Sequence, residues 1–140
     1  MKEIVLKYSS EPYDLSCSET MVYSANEKWN LGLEKESFKM MAPFSGGMGI
    51  ESICGIVTGA ISVLGIIFVD KCAHESDFVS KITKEYISKF DELYSTISCN
   101  ELKKNYRDDV LGCSELIMAG ALLLEKIVEK YKEEAIIPIR

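Results

Sequence analysis

The sequence predicts an all-α fold: a compact bundle of about five helices around a buried, apolar central helix at about residues 50–69. Three observations carry this. A capping-box pattern at Ser16–Glu19 opens a segment with apolar residues at every fourth position. A glycine-rich stretch near residue 50 runs into an almost uncharged segment, and an amphipathic pattern fills about 76–94.

The first helix starts near Ser16, because Ser16-Cys17-Ser18-Glu19 sets a glutamate three residues after an N-cap serine. Cys17, Met21, Ala25 and Trp29 then make one stripe, and Asn30-Leu31-Gly32 ends it. A shorter helix, roughly Glu34 to Ala42, carries Phe38 and Met41 inward and stops at Pro43. Ser45-Gly46-Gly47-Met48-Gly49 then opens the central helix, from about Ile50 to Val69. With only Ser52, Thr58 and Ser62 as polar relief, that helix belongs in the middle of the bundle. Ile53 to Val69 falls short of the usual membrane span of about 20 residues and lacks flanking basic and aromatic anchors, so a core helix is expected. Gly55 and Gly59 lie four apart on it and invite a neighbouring helix to approach closely.

From about Ser76 to Tyr94, Phe78, Val79, Ile82, Tyr86, Phe90 and Leu93 point inward and Lys81, Lys84, Glu85, Lys89 and Glu92 outward. Cys99-Asn100-Glu101-Leu102 begins a short helical or turn segment. The last helix runs from about Asp109 to Lys132, with Asp109 or Gly112 near its cap. Ile4-Val5-Leu6 and Ile136-Ile137 are too short and isolated to add a sheet. No linker-like or repetitive stretch divides residues 1–140, so a single helical domain is expected.

Composition narrows the function. Sixteen basic against 22 acidic side chains give a formal charge of −6, which disfavours nucleic acid and anionic membranes, both of which need a basic face. The first residues lack the apolar run of a secretory signal, so a reducing, cytoplasmic setting is expected. There the five cysteines, 17, 54, 72, 99 and 113, are packing residues, metal ligands or redox groups rather than structural disulfides.

Four of them fall near expected helix starts: Cys17 in the first turn of the first helix, Cys54 in the opening turns of the central one, Cys99 just before or at a short helical turn, and Cys113 near the start of the last. A helix N-terminus offers unpaired N–H groups and partial positive charge, which favour thiolate, the form that attacks disulfides and ligates soft metals. The plain alternative is that each is a small buried hydrophobe. Cys72, beside His74 in a polar link, lies outside the pattern. There is no C-x-x-C, which excludes a thioredoxin-type dithiol and a zinc ribbon, and the single histidine excludes multi-histidine metal sites. A cluster or zinc would need three or four of the cysteines gathered by tertiary folding. The glycine cluster lacks the Lys-Ser/Thr of a phosphate loop and no strand precedes it. It is a tight turn, or a nest in which the amides of Gly46, Gly47 and Gly49 face an anion, a thiolate or a cluster sulfur.

The order of these boxes resembles a known family. Cys17-Ser18-Glu19-Thr20, the Phe44–Gly49 loop with its Phe-x-Gly-Gly-Met-Gly pattern, Cys54-Gly55 with Gly59-Ala60, and the lone Cys99 and Cys113 are similar to the C_GCAxxG_C_C family, whose redox label was inferred from its cysteines. The resemblance runs from about Cys17 to Val128 and implies a helical protein with four characteristic cysteines, here Cys17, Cys54, Cys99 and Cys113. The family's small residue after Cys-Gly is Ile56 here, which is expected to add bulk beside Cys54 and narrow the pocket it borders.

Three functions follow. In the first, thiol/disulfide electron transfer with an unidentified redox partner uses Cys17 and Cys113 as attacking and resolving pair, with Cys54 in support. In the second, Cys17, Cys54, Cys99 and Cys113 hold an iron–sulfur cluster or a soft metal such as zinc. In the third, a non-catalytic helical interaction module merely packs its cysteines. The acidic surface and glycine-bearing central helix suit a monomer or a homodimer.

Overall fold

The computed structural model describes residues 1–139 and is all-α, with seven α-helices and no strand among those residues. They are α1 (Lys2–Tyr8), α2 (Cys17–Trp29), α3 (Lys35–Lys39), α4 (Gly55–Phe68), α5 (Phe78–Tyr94), α6 (Cys99–Tyr106) and α7 (Ser114–Lys130). Helix α4 is the centre. Ile56, Val57, Ala60, Leu64 and Ile67 are fully buried, and α2, α5 and α7 pack around it. No described helix is long and apolar enough to cross a membrane.

The capping box forms as written: the Glu19 N–H donates to Ser16 Oγ (3.3 Å) and the Ser16 N–H to Glu19 Oε1 (3.1 Å). Met21, Ala25 and Trp29 are buried in one row. The glycines of α4 explain why α2 lies so close. A Cβ on Gly59 would stand 2.8 Å from the Ser18 carbonyl oxygen and 2.9 Å from Met21 Cβ. One on Gly55 would stand 3.1 Å from the Ser18 nitrogen and 3.4 Å from Cys17 Cβ. The bare face of α4 therefore sets the start of α2 directly against Cys54.

Several expected boundaries differ. Helix α1 occupies the segment around Ile4–Leu6, which carries no helical signal because only Val5 is buried. It is held from outside: Lys7 and Tyr8 both reach Glu27 of α2 (2.7 and 2.6 Å), and the Met1 amino group reaches Glu125 of α7 (3.3 Å). The central helix starts at Gly55, not near Ile50, because the positive-φ residues of the glycine turn extend to Glu51 (φ 54°), and Ser52 to Cys54 then pair with Ile97 to Cys99 through the Cys54 N–H and the Ser52 carbonyl. Helix α7 starts at Ser114 with Cys113 as N-cap, whereas Asp109 and Gly112 belong to a turn. In it Asp108 Oδ1 accepts the N–H groups of Val110 (2.7 Å) and Leu111 (2.8 Å). Leu93 is exposed rather than inward. The tail at Ile136 adds no strand, but its N–H donates to the Ile67 carbonyl (2.8 Å), satisfying one of the last carbonyls of α4.

Candidate functional site

The four cysteines stand at four helix starts. Cys17 and Cys99 are the first residues of α2 and α6, and Cys54 and Cys113 are the N-caps of α4 and α7. All four line one cavity of about 320 Å³. Cys72 is exposed, lies outside that cavity and follows the end of α4. The described cysteines are all free thiols.

Two backbone devices assemble this wall. The close approach of α2 to Gly55 and Gly59 brings Cys17 to Cys54. An isolated antiparallel bridge between Ile53 and Ser98 brings Cys99 to the same place. In that bridge the Cys54 N–H donates to the Ile97 carbonyl (2.8 Å), and the Cys99 N–H donates to the Ser52 carbonyl (2.6 Å). The glycine turn closes the side beside Cys99: Gly46 and Gly47 line the cavity, while Gly49 does not. Gly47, at φ +64°, has room for no Cβ, which would stand 2.6 Å from Cys99 Cβ and 2.7 Å from the Ser52 nitrogen.

Electrostatics separate the four thiols. Helix starts lead one to expect a lowered pKa at each, but three are raised instead, two of them chiefly by burial. Cys54 is pushed up to about 11 by desolvation, against the pull of the Ile56 and Val57 amides. Burial raises Cys99 as well, and the nearby Lys103 counters it only in part. Cys17 and Cys113 are neighbours in the cavity, and one ionises at the expense of the other. Cys113, half-buried, is lowered to about 6, first by the adjacent Cys17 thiol and then by the positive charges of Arg107 and Lys103. Cys17 is raised, first by that same neighbour and then by burial. The pair favours one thiolate beside one thiol.

No three His, Cys, Asp or Glu side chains among the described residues stand close enough to hold one metal ion. The four cysteines share a wall without forming a ligand set of that kind. Ile56, expected to crowd Cys54 at the cavity, turns away from it. Ile56 is fully buried and packs its Cγ2 against Gly120 of α7, so the added bulk is absorbed between helices and does not narrow the cavity.

A family model described as "Putative redox-active protein (C_GCAxxG_C_C)" matches residues 15–127. The chain belongs to the C_GCAxxG_C_C family. The match starts two residues before Cys17 and extends past Cys113, so every cysteine of the cavity falls within it. No curated protein and no solved structure matches the chain.

Sequence reasoning missed several residues of this C_GCAxxG_C_C site. Lys103 and Arg107 line the cavity from α6 and the residue after it, and Ser9 and Thr20 add hydroxyls. Thr20 lies three residues after Cys17 on α2, one helical turn on, and that spacing is the signal for it. Lys103 is four residues after Cys99 on α6, for the same reason. Ser9 comes from the helix that sequence reasoning did not foresee.

Proposed function

We propose that the chain is a dithiol/disulfide oxidoreductant in which Cys113 attacks and Cys17 resolves. One observation carries the reading: Cys17 and Cys113 are neighbouring thiols in one cavity, and Arg107 and Lys103, which line the same cavity, favour the Cys113 thiolate. Cys113 takes the attacking role because it is the less buried and the more readily ionised of the two. Its sulfur attacks one sulfur of a disulfide R–S–S–R, forming a mixed disulfide and releasing RS⁻. Cys17 then loses its proton, attacks the Cys113 sulfur and expels the second RS⁻, which takes up the proton. The dithiol has lost two electrons and the external disulfide has gained them. The step runs backwards when RSH is in excess.

Cys54 and Cys99 stay protonated through this exchange, since burial raises both. They line the cavity beside the reacting pair. The iron–sulfur or zinc reading requires three or four thiolates on one centre, and the donor groups as they stand do not favour it.

The test equilibrates a Cys72→Ser variant in thiol/disulfide buffers of graded potential, quenches it with acid, and maps disulfides by peptide mass spectrometry. A reversible Cys17–Cys113 link, alkylation of Cys54 and Cys99 only after unfolding, and no bound iron or zinc are expected. If Cys17 and Cys113 remain free thiols in every buffer, the reading is wrong.

A further inference from the structure

We infer that the cavity selects a small, anion-bearing disulfide or thiol, holding its acidic group on Arg107 and Lys103 while its sulfur meets Cys113. The inference rests on the dithiol reading above and names the substrate class of that site.

Three features of the cavity carry it. The first is charge in the wrong place for a protein of net −6: Lys103 and Arg107 both line the cavity, on the wall shared with Cys113. Arg107 has no ion-pair partner among the described residues, and Lys103 makes only a long contact with Glu51 (3.6 Å). An exposed arginine without a carboxylate is unremarkable, but one lining a cavity beside a nucleophile is placed to receive an anion. Its planar fork suits a carboxylate in particular.

The second is a polar lining. Thr20 and Ser9 both contribute to the cavity surface, although their hydroxyl oxygens are themselves closed off from solvent and unpartnered among the described residues. They leave the neighbourhood of the two cations polar rather than greasy.

The third is size. A cavity of about 320 Å³ sits at the small end of ligand sites. It admits a molecule of amino-acid or short-peptide dimensions. The substrate is therefore a low-molecular-weight thiol/disulfide couple with carboxylates, and the exchange is the balanced one written above.

The experiment compares three disulfides of different charge, each rate divided by the same reagent's rate with a small neutral thiol because their leaving-group pKa values differ: 3,3′-dithiodipropionate (anionic), bis(2-hydroxyethyl) disulfide (neutral) and cystamine (cationic). Rates of Cys17–Cys113 oxidation in the Cys72→Ser protein are measured at low and high salt. The anionic reagent is expected to react about tenfold faster than the neutral one and the cationic one more slowly still, with the spread shrinking at high salt. Arg107→Gln slows all three by raising the Cys113 pKa, so the readout is the anion-to-neutral ratio, expected to fall near unity and to be restored by Arg107→Lys. Equal normalised rates for all three reagents, or a ratio unmoved by Arg107→Gln, overturn the inference and leave the dithiol reading standing. A separate arm needs no redox chemistry. The Cys17→Ser/Cys113→Ser protein is titrated with 3,3′-dithiodipropionate by calorimetry, with binding expected and weakened at least fivefold by Arg107→Gln. Oxidation by none of the three reagents defeats the dithiol reading, and absence of calorimetric binding defeats the anion site.

Discussion

Gly47 lies so close to Cys99 that a side chain on the glycine would put two Cβ atoms 2.6 Å apart. The glycine turn is thus fitted against a cysteine, and the conformation at φ +64° leaves no other residue comfortable there. Gly47→Ala is expected to destabilise the protein by about 2–4 kcal/mol, combining left-handed backbone strain with overpacking. Gly46→Ala has the same sign of φ and nothing within 4 Å, so it should cost only about 1 kcal/mol. Urea unfolding of the two variants checks the difference. Similar losses for both would mean that the Cys99 contact contributes nothing.

The pH dependence of alkylation follows from the linked ionisation of Cys17 and Cys113. In the Cys72→Ser protein, one thiol should react with iodoacetamide at a rate that rises as pH passes through about 6, because the Cys113 thiolate is favoured above that pH. Below it the thiol is protonated and the rate falls. Cys17→Ala removes the neighbouring thiol, and the inflection should move up toward an ordinary thiol value; Cys17→Ser, which keeps a hydroxyl there, should move it less. Peptide mapping of the alkylated residue identifies the thiol. An inflection unchanged in Cys17→Ala would show that Arg107 and Lys103, rather than the thiol, hold Cys113 ionised.

The capping box ties the position of Cys17 to Ser16. Ser16→Ala removes the acceptor for the Glu19 N–H and is expected to cost about 1 kcal/mol, within the usual range for an N-cap loss. Cys17 is the first residue of the same helix, so fraying there loosens the thiol pair. The checks are thermal unfolding and the yield of the Cys17–Cys113 disulfide in a fixed redox buffer. A stability loss with undiminished disulfide yield would separate the cap from the site.

Much of this architecture is legible because it is local. The capping box, the Met21–Ala25–Trp29 stripe and the apolar run of α4 are patterns of adjacent residues, and each forms where its pattern lies. The helix start at Cys17 is legible on the same ground, whereas those at Cys54 and Cys113 lie four to five residues beyond the expected starts near Ile50 and Asp109. What is not local is not legible. Helix α1 exists through Glu27 and Glu125, which lie far along the chain. The meeting of Cys54 with Cys99 depends on a two-bond bridge between residues more than forty apart, with no periodicity to announce it. The pKa order fails for a related reason: a helix start is visible in sequence, but the burial that outweighs it at Cys54 and Cys99, and the Cys113 neighbour that does so at Cys17, are not.

The bulk of Ile56, which departs from the family's small residue, is accommodated by Gly120, and the two should therefore be energetically coupled. A Cβ on Gly120 would collide with Ile56 Cγ2 and stand 3.0 Å from the Tyr86 hydroxyl, which donates to the Gly120 carbonyl (2.9 Å). Gly120→Ala alone is expected to cost about 1–3 kcal/mol by overpacking, despite the better helix propensity of alanine. Ile56→Ala alone leaves a cavity in the core and should cost about 2–5 kcal/mol. Together the two changes relieve the clash and refill part of the void, so the double variant should be more stable than the sum of single losses by about 1 kcal/mol or more. Since neither residue lines the thiol cavity, the Cys17–Cys113 exchange rate in the folded double variant should stay at its original value. Additive losses in denaturant unfolding would mean that α4 and α7 shift to absorb each change independently. A changed exchange rate would mean that the bulk of Ile56 acts on the cavity after all, through the backbone of Cys54.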